Sequence, residues 1–151
     1  SPNNPQTVTA PRFIDFVEIT MDVVFGSHDM ADLCKRVVSH PVLQNFIHGT
    51  HVLFIHNSKL TYDSGFGAPL PISHAAVAHA AIASKKIEST LETATSPALM
   101  AVPFMHEGKV EAVGVLTLSP GTDCRNVDHH LDSMLTKISG YFLATKIGFE
   151  H

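Results

Sequence analysis

The run from residue 98 to residue 118, ALMAVPFMHEGKVEAVGVLTL, constrains the fold more than any other part of the chain. Residues 98–105 and 110–118 are apolar and rich in strand-forming side chains, and the turn between them is His106-Glu107-Gly108-Lys109. Two such runs about a short turn containing glycine predict a β-hairpin. Pro103 sits inside the first run. Because proline donates no ladder hydrogen bond, an edge or a bulge is expected there.

A second hairpin precedes it. Residues 50–56 (THVLFIH) are β-branched and aromatic, Asn57-Ser58 supplies a turn, and residues 59–64 (KLTYDS) alternate. A loop over residues 65–71, with Gly65, Gly67, Pro69 and Pro71, leads to an alanine-rich helix from His74 to Lys85, with Ser73 as its expected cap. Upstream, Phe13, Phe16, Val17, Thr20, Met21 and Val24 fall on one helical stripe. Ile14, Ile19 and Val23 widen that stripe beyond one core face, and Gly26 suits the stop. Asp29 caps a second helix carrying Met30, Leu33, Cys34, Val37 and Val38, which Pro41 ends. After Pro120-Gly121, a last helix presents Leu131, Met134, Leu135, Ile138 and Phe142, with Tyr141 beside them. Residues 1–12 read as a linker and residues 13–151 as one domain. The order helix, helix, hairpin, helix, hairpin, helix predicts an α+β fold: an antiparallel sheet covered by helices.

Composition narrows the function. A chain of 151 residues with 44% apolar side chains supports one packed core. Its formal charge is -4 and its ten Lys and Arg are spread out, so DNA is expected only through an output domain outside this segment. No apolar run approaches the roughly 18 residues of a membrane span. Cys34 and Cys124 make no disulfide framework, which suits a reducing cytoplasm. The start at Ser1-Pro2-Asn3, without a signal peptide, and a helical pattern running to Glu150-His151 are expected of a piece of a longer protein.

The chain has no Gly-x-Ser-x-Gly, phosphate loop, His-Glu-x-x-His or Gly-x-Gly-x-x-Gly, and no enzyme activity is expected. Asp123, Asp128 and Asp132 are placed as charges at the start of the last helix. Eleven histidines include His48, His51 and His56 along the first hairpin and the pair His74 and His79. Five residues apart, that pair is badly phased for a shared metal on a helix, so no metal is expected.

The second hairpin resembles the GAF family: a strand with an internal Val102-Pro103, a polar turn with glycine, then a strand containing Gly114-Val115-Leu116. The alanine-rich helix ending at Ser84-Lys85-Lys86 also resembles the helix which that family places before this hairpin. The resemblance covers residues 13–147. It implies a sheet of about six antiparallel strands, terminal helices on one face, and a pocket on the other roofed by a helix and loops. It also implies regulation by a small molecule or cofactor, often in a dimer. Haem or nonhaem iron on His74 or His79 is one alternative within the family; the cofactor stays unnamed.

Several branches are set aside. The bilin-binding branch uses a cysteine, often followed by histidine, whereas Cys34 precedes Lys35 and Cys124 precedes Arg125. The Asn-Lys-x-Phe-Asp-Glu type signature of the cyclic-nucleotide branch is not found, and the methionine-sulfoxide-reducing branch needs several suitably placed cysteines. What remains is a sensory module with a noncovalent ligand, signalling to an output domain of a transcription regulator. The alternative is a ligand-free dimerisation domain. The expected ligand residues are Tyr62, Ser64, Phe66, His74, His79, Met100 and Phe104, supplying apolar area and a few orienting polar groups. A homodimer is expected through Phe13, Phe16, Val17, Met21, Leu131, Met134, Ile138 and Phe142.

Overall fold

A computed structural model describes residues 13–122 and 129–147, with side chains over 18–122 and 132–145. Two helices, α1 (Phe13–Gly26) and α2 (Met30–Ser39), lead through a short 3-10 turn into the hairpin β1 (Ile47–His56) and β2 (Lys59–Gly67). Helix α3 (His74–Ser84) and a short strand β3 (Glu88–Ser89) follow. The second hairpin is β4 (Leu99–His106) and β5 (Lys109–Leu118), and α4 (His129–Phe142) runs on into a π-helical turn at Leu143–Ile147. The predicted order of helices and hairpins is therefore observed. Among the described residues the sheet has five strands in the order β2-β1-β5-β4-β3, in line with the roughly six that the resemblance implied.

Local chemistry explains most of the boundaries. Asp29 is extended and its carboxylate accepts the Asp32 N–H, as expected of a cap on α2. Ser73 makes no such bond. The first turn of α3 is tied instead to the Pro71 carbonyl, which takes the His74 backbone N–H at 3.1 Å and the His74 ring Nδ1–H at 2.6 Å. Both hairpins close with two-residue turns, Asn57-Ser58 and Glu107-Gly108, in which every residue has positive φ. That turn geometry matches the right-handed twist of the paired strands. Strand β2 extends to Gly67, so Gly65 and Phe66, expected in a loop, are in the ladder. Pro103 meets both expectations: β3 pairs only with Met100 and Ala101, leaving β4 an edge at the proline, and the register shifts between Phe104 and Met105.

Register sorts the sheet into two faces, because paired residues point the same way. Val52, Val102 and Ala112 join Phe104, Leu118 and Phe142 in a core closed by α1, α2 and α4. Leu53, Leu99, Ala101, Val113 and Val115 meet Val77, Ala78 and Ala81 of α3 on the opposite face. The terminal helices thus share one face and α3 covers part of the other. No described helix is long and apolar enough to cross a membrane.

Candidate functional site

The α3 face is unevenly covered. Helix α3 lies over β4 and β5, because alanines at positions 78 and 81 let its backbone come close to the sheet. Outside it, the first hairpin shows Ile55 and Leu60 half-buried and Tyr62 52% exposed. Between hairpin and helix runs a groove of about 430 Å³. Ile55, Leu60, Ile82 and Val110 give it an apolar lining, while Ser58, Lys59, His79, Lys85 and Lys109 supply polar groups.

Farther along the hairpin lies a polar cluster that sequence reading missed. His51 is 6% exposed. Its Nε2 is 2.7 Å from the Ala68 carbonyl, and its Nδ1 is 3.0 Å from the Tyr62 hydroxyl. A carbonyl only accepts, so Nε2 carries the proton, and in that tautomer Nδ1 is the acceptor for the Tyr62 O–H. Loss of water around the Tyr62 hydroxyl raises its pKa, with smaller contributions from Cys34 and Asp63. Gly65 completes the cluster, since a Cβ there would fall on the His51 ring and the Tyr62 hydroxyl. The cluster ties the edge strand to the loop that leads into α3.

The expected ligand residues divide between the faces. Tyr62 and His79 are on the α3 face, and His74 binds the turn at the start of α3. Met100 and Phe104 point to the opposite face and are packed in the three-helix core. They cannot line a groove beside α3, which corrects that expectation. Ser64 and Phe66 pair with Val52 and Thr50, so they too lie on the α2 side of the hairpin. The structure brings together Tyr62 with His51, and His79 with lysines, leaves His74 at the start of α3, and puts Ser64, Phe66, Met100 and Phe104 on the opposite face.

Of the expected dimer residues, Met21 is exposed and Met134 half-buried. Ile138 packs against the core, and Phe142 is wholly buried within it. Phe142 is therefore a core residue and is not available to a seam, a second correction. The side chains of Phe13, Phe16, Val17 and Leu131 lie outside the described residues, as does the expected linker. An exposed aromatic pair was missed: Phe25 and Tyr141 meet edge to face with ring centroids 5.9 Å apart, joining α1 to α4. Among the described residues, no three His, Cys, Asp or Glu side chains come together as a metal site.

Comparison with known proteins places this architecture. No family model matches the chain, and no curated protein matches it. Solved structures do. The GAF domain of an Acinetobacter phosphoenolpyruvate-protein phosphotransferase superposes with a TM-score of 0.59 at 11% identity, over 95% of this chain and 99% of that one. The nlh2 GAF domain of A. aeolicus gives 0.55 at 13% identity, over 86% and 94%. A type II free methionine-R-sulfoxide reductase from Thermoplasma acidophilum gives 0.57 at 8% identity, over 83% and 95%.

The last of these corrects the expectation that the chain is not an enzyme. The same fold carries catalysis in a reductase, so missing local motifs do not set catalysis aside. Cys34 is on the buried face of α2 with its Sγ 3.9 Å from the Ser64 carbonyl, and burial pushes its thiol pKa up to about 11. Cys124 lies outside the described residues. At these identities the comparisons speak for the fold, and on that ground the chain has the fold of a GAF domain.

Proposed function

We propose that this chain is a regulatory sensory domain that binds a small molecule in the groove beside α3 and signals through its terminal helices. The observation that supports it is the asymmetry of the sheet. One face is closed by three helices, while the other keeps a groove with an apolar lining and a few polar groups, the usual make-up of a small-molecule site. Signalling needs an element with two arrangements that the ligand biases differently. The loop between β2 and α3, fastened through His51 and Pro71, is placed to be that element. The output is read as a further domain of a bacterial signalling protein, a transcription regulator, reached through paired α1 and α4 helices.

The test is a metabolite screen by thermal shift on the chain and on an Ile82→Trp variant that fills the groove. Compounds that raise the Tm of the parent and leave the variant unmoved support the reading. Compounds that stabilise both alike place binding elsewhere and overturn it. The exposed Phe25–Tyr141 pair favours a second reading, a domain that only dimerises. Light scattering on the parent and on Tyr141→Ser measures that contribution separately.

A further inference from the structure

Three elements contribute lysines to the lining of one groove. Lys59 begins β2, Lys109 begins β5, and Lys85 ends α3 in a left-handed conformation. All three line the groove beside α3, and none of the residues lining it is acidic. In a chain whose formal charge is -4, this is a local reversal of sign. Lys109 Nζ is also 3.9 Å from the Glu111 carboxylate, which is not among the groove's lining residues. The C-terminal end of α3 faces the same place and carries roughly half a negative charge, which the Lys85 ammonium more than offsets.

The arrangement is also partly organised before any ligand arrives. Lys85 Nζ donates to the Gly108 carbonyl at 2.9 Å, holding an ammonium at the mouth between the helix and the β4–β5 turn. Below the charges, Ile55, Leu60, Ile82 and Val110 offer an apolar floor. From this juxtaposition we propose that the groove is selective for small amphipathic anions, an apolar body carrying a carboxylate or a phosphate. This deepens, and rests on, the reading of the groove as a ligand site.

Lys85 also lines a second cleft of about 390 Å³ on the helix side, with Met105, Glu107, Asp132, Thr136 and Lys137. There the Asp132 carboxylate accepts the Ile87 N–H with both oxygens at 3.2 Å, fastening α4 to the chain just after α3. An anion that takes the Lys85 ammonium from Gly108 therefore acts two residues from α4's own anchorage at Ile87, through the segment Lys85-Lys86-Ile87.

The experiment is an amide NMR titration of the 151-residue chain with three probes: phenyl phosphate, benzoate and uncharged benzyl alcohol. Both anions are expected to give saturable shifts at residues 55–60, 79–85 and 108–110, with benzyl alcohol at least tenfold weaker. A preference between phosphate and carboxylate identifies the head group. The Lys59→Gln/Lys109→Gln variant retains the Lys85 tether and is expected to weaken anion binding by about tenfold, given up to about fivefold for each exposed charge. Equal binding of benzyl alcohol in the groove would overturn the charge selectivity and leave the ligand site standing. Anion shifts confined to other residues, or unchanged affinity in the double variant, overturn the proposal as well. Failure of all three probes to shift groove residues counts against the site itself.

Discussion

The two faces of the sheet are built from different materials. On the terminal-helix face, Phe46, Phe104, Phe142, Leu143 and Met30 fill the space between α1, α2, α4 and the strands with large side chains. On the other face, α3 contributes only Val77, Ala78 and Ala81 to the buried contact. Small residues bring a helix close to a sheet and also leave little side-chain volume to spread sideways. The large residues fill the space beneath the terminal helices; the small ones seat a helix and leave the neighbouring hairpin uncovered. A groove arises here from what α3 lacks.

Three tests would break or sharpen that contrast. Phe142→Ala removes a wholly buried ring from the closed face and is expected to cost about 3–5 kcal/mol in urea unfolding. A much smaller loss would mean that this face is loosely packed and the contrast false. Ala78→Leu forces three more carbons between α3 and the sheet and is expected to cost about 1–3 kcal/mol. A neutral result would show that α3 does not depend on close approach. The third test uses Cys34, which reports on closure under α2. With its pKa raised to about 11 by burial, its thiolate is scarce at pH 8, so peptide mapping should find slow alkylation there in the folded protein. The unfolded thiol ionises near 9, so this group's contribution to stability is intact below pH 9 and is lost as pH rises through about 11. Rapid alkylation at pH 8 without unfolding would show that the face opens.

Most of the fold was legible because turns and periods are local. The hairpin at residues 98–118, the alanine-rich helix and the Asp29 cap each depend on a few neighbouring residues. The faces were harder. Every residue of β4 from Leu99 to Phe104 is buried, so burial does not alternate along it and gives no sign of which side Met100 and Phe104 take. Strand β3, two residues long, has no period to read. The His51–Tyr62 contact had a signal that went unused. A two-residue turn at Asn57-Ser58 sets Leu53 opposite Tyr62, and His51 shares the face of Leu53 two residues away. The bulge beside Val52 and Leu53 then restores alignment so that Gly65 falls opposite His51. The lysine groove depends on three distant segments meeting, which no local pattern reports.

Gly140 on α4 has no room for a side chain, because a Cβ there would run into the backbone of Met105. Met105 follows the register shift in β4, so the helix backbone rests directly on an irregular point of the strand. Such a seat fixes α4 at one point along its axis. Sliding α4 along its axis would drive side chains into the Met105 carbonyl, whereas turning about Gly140 leaves the contact in place. A displacement of α4 that keeps this contact is therefore a change of angle and not a slide.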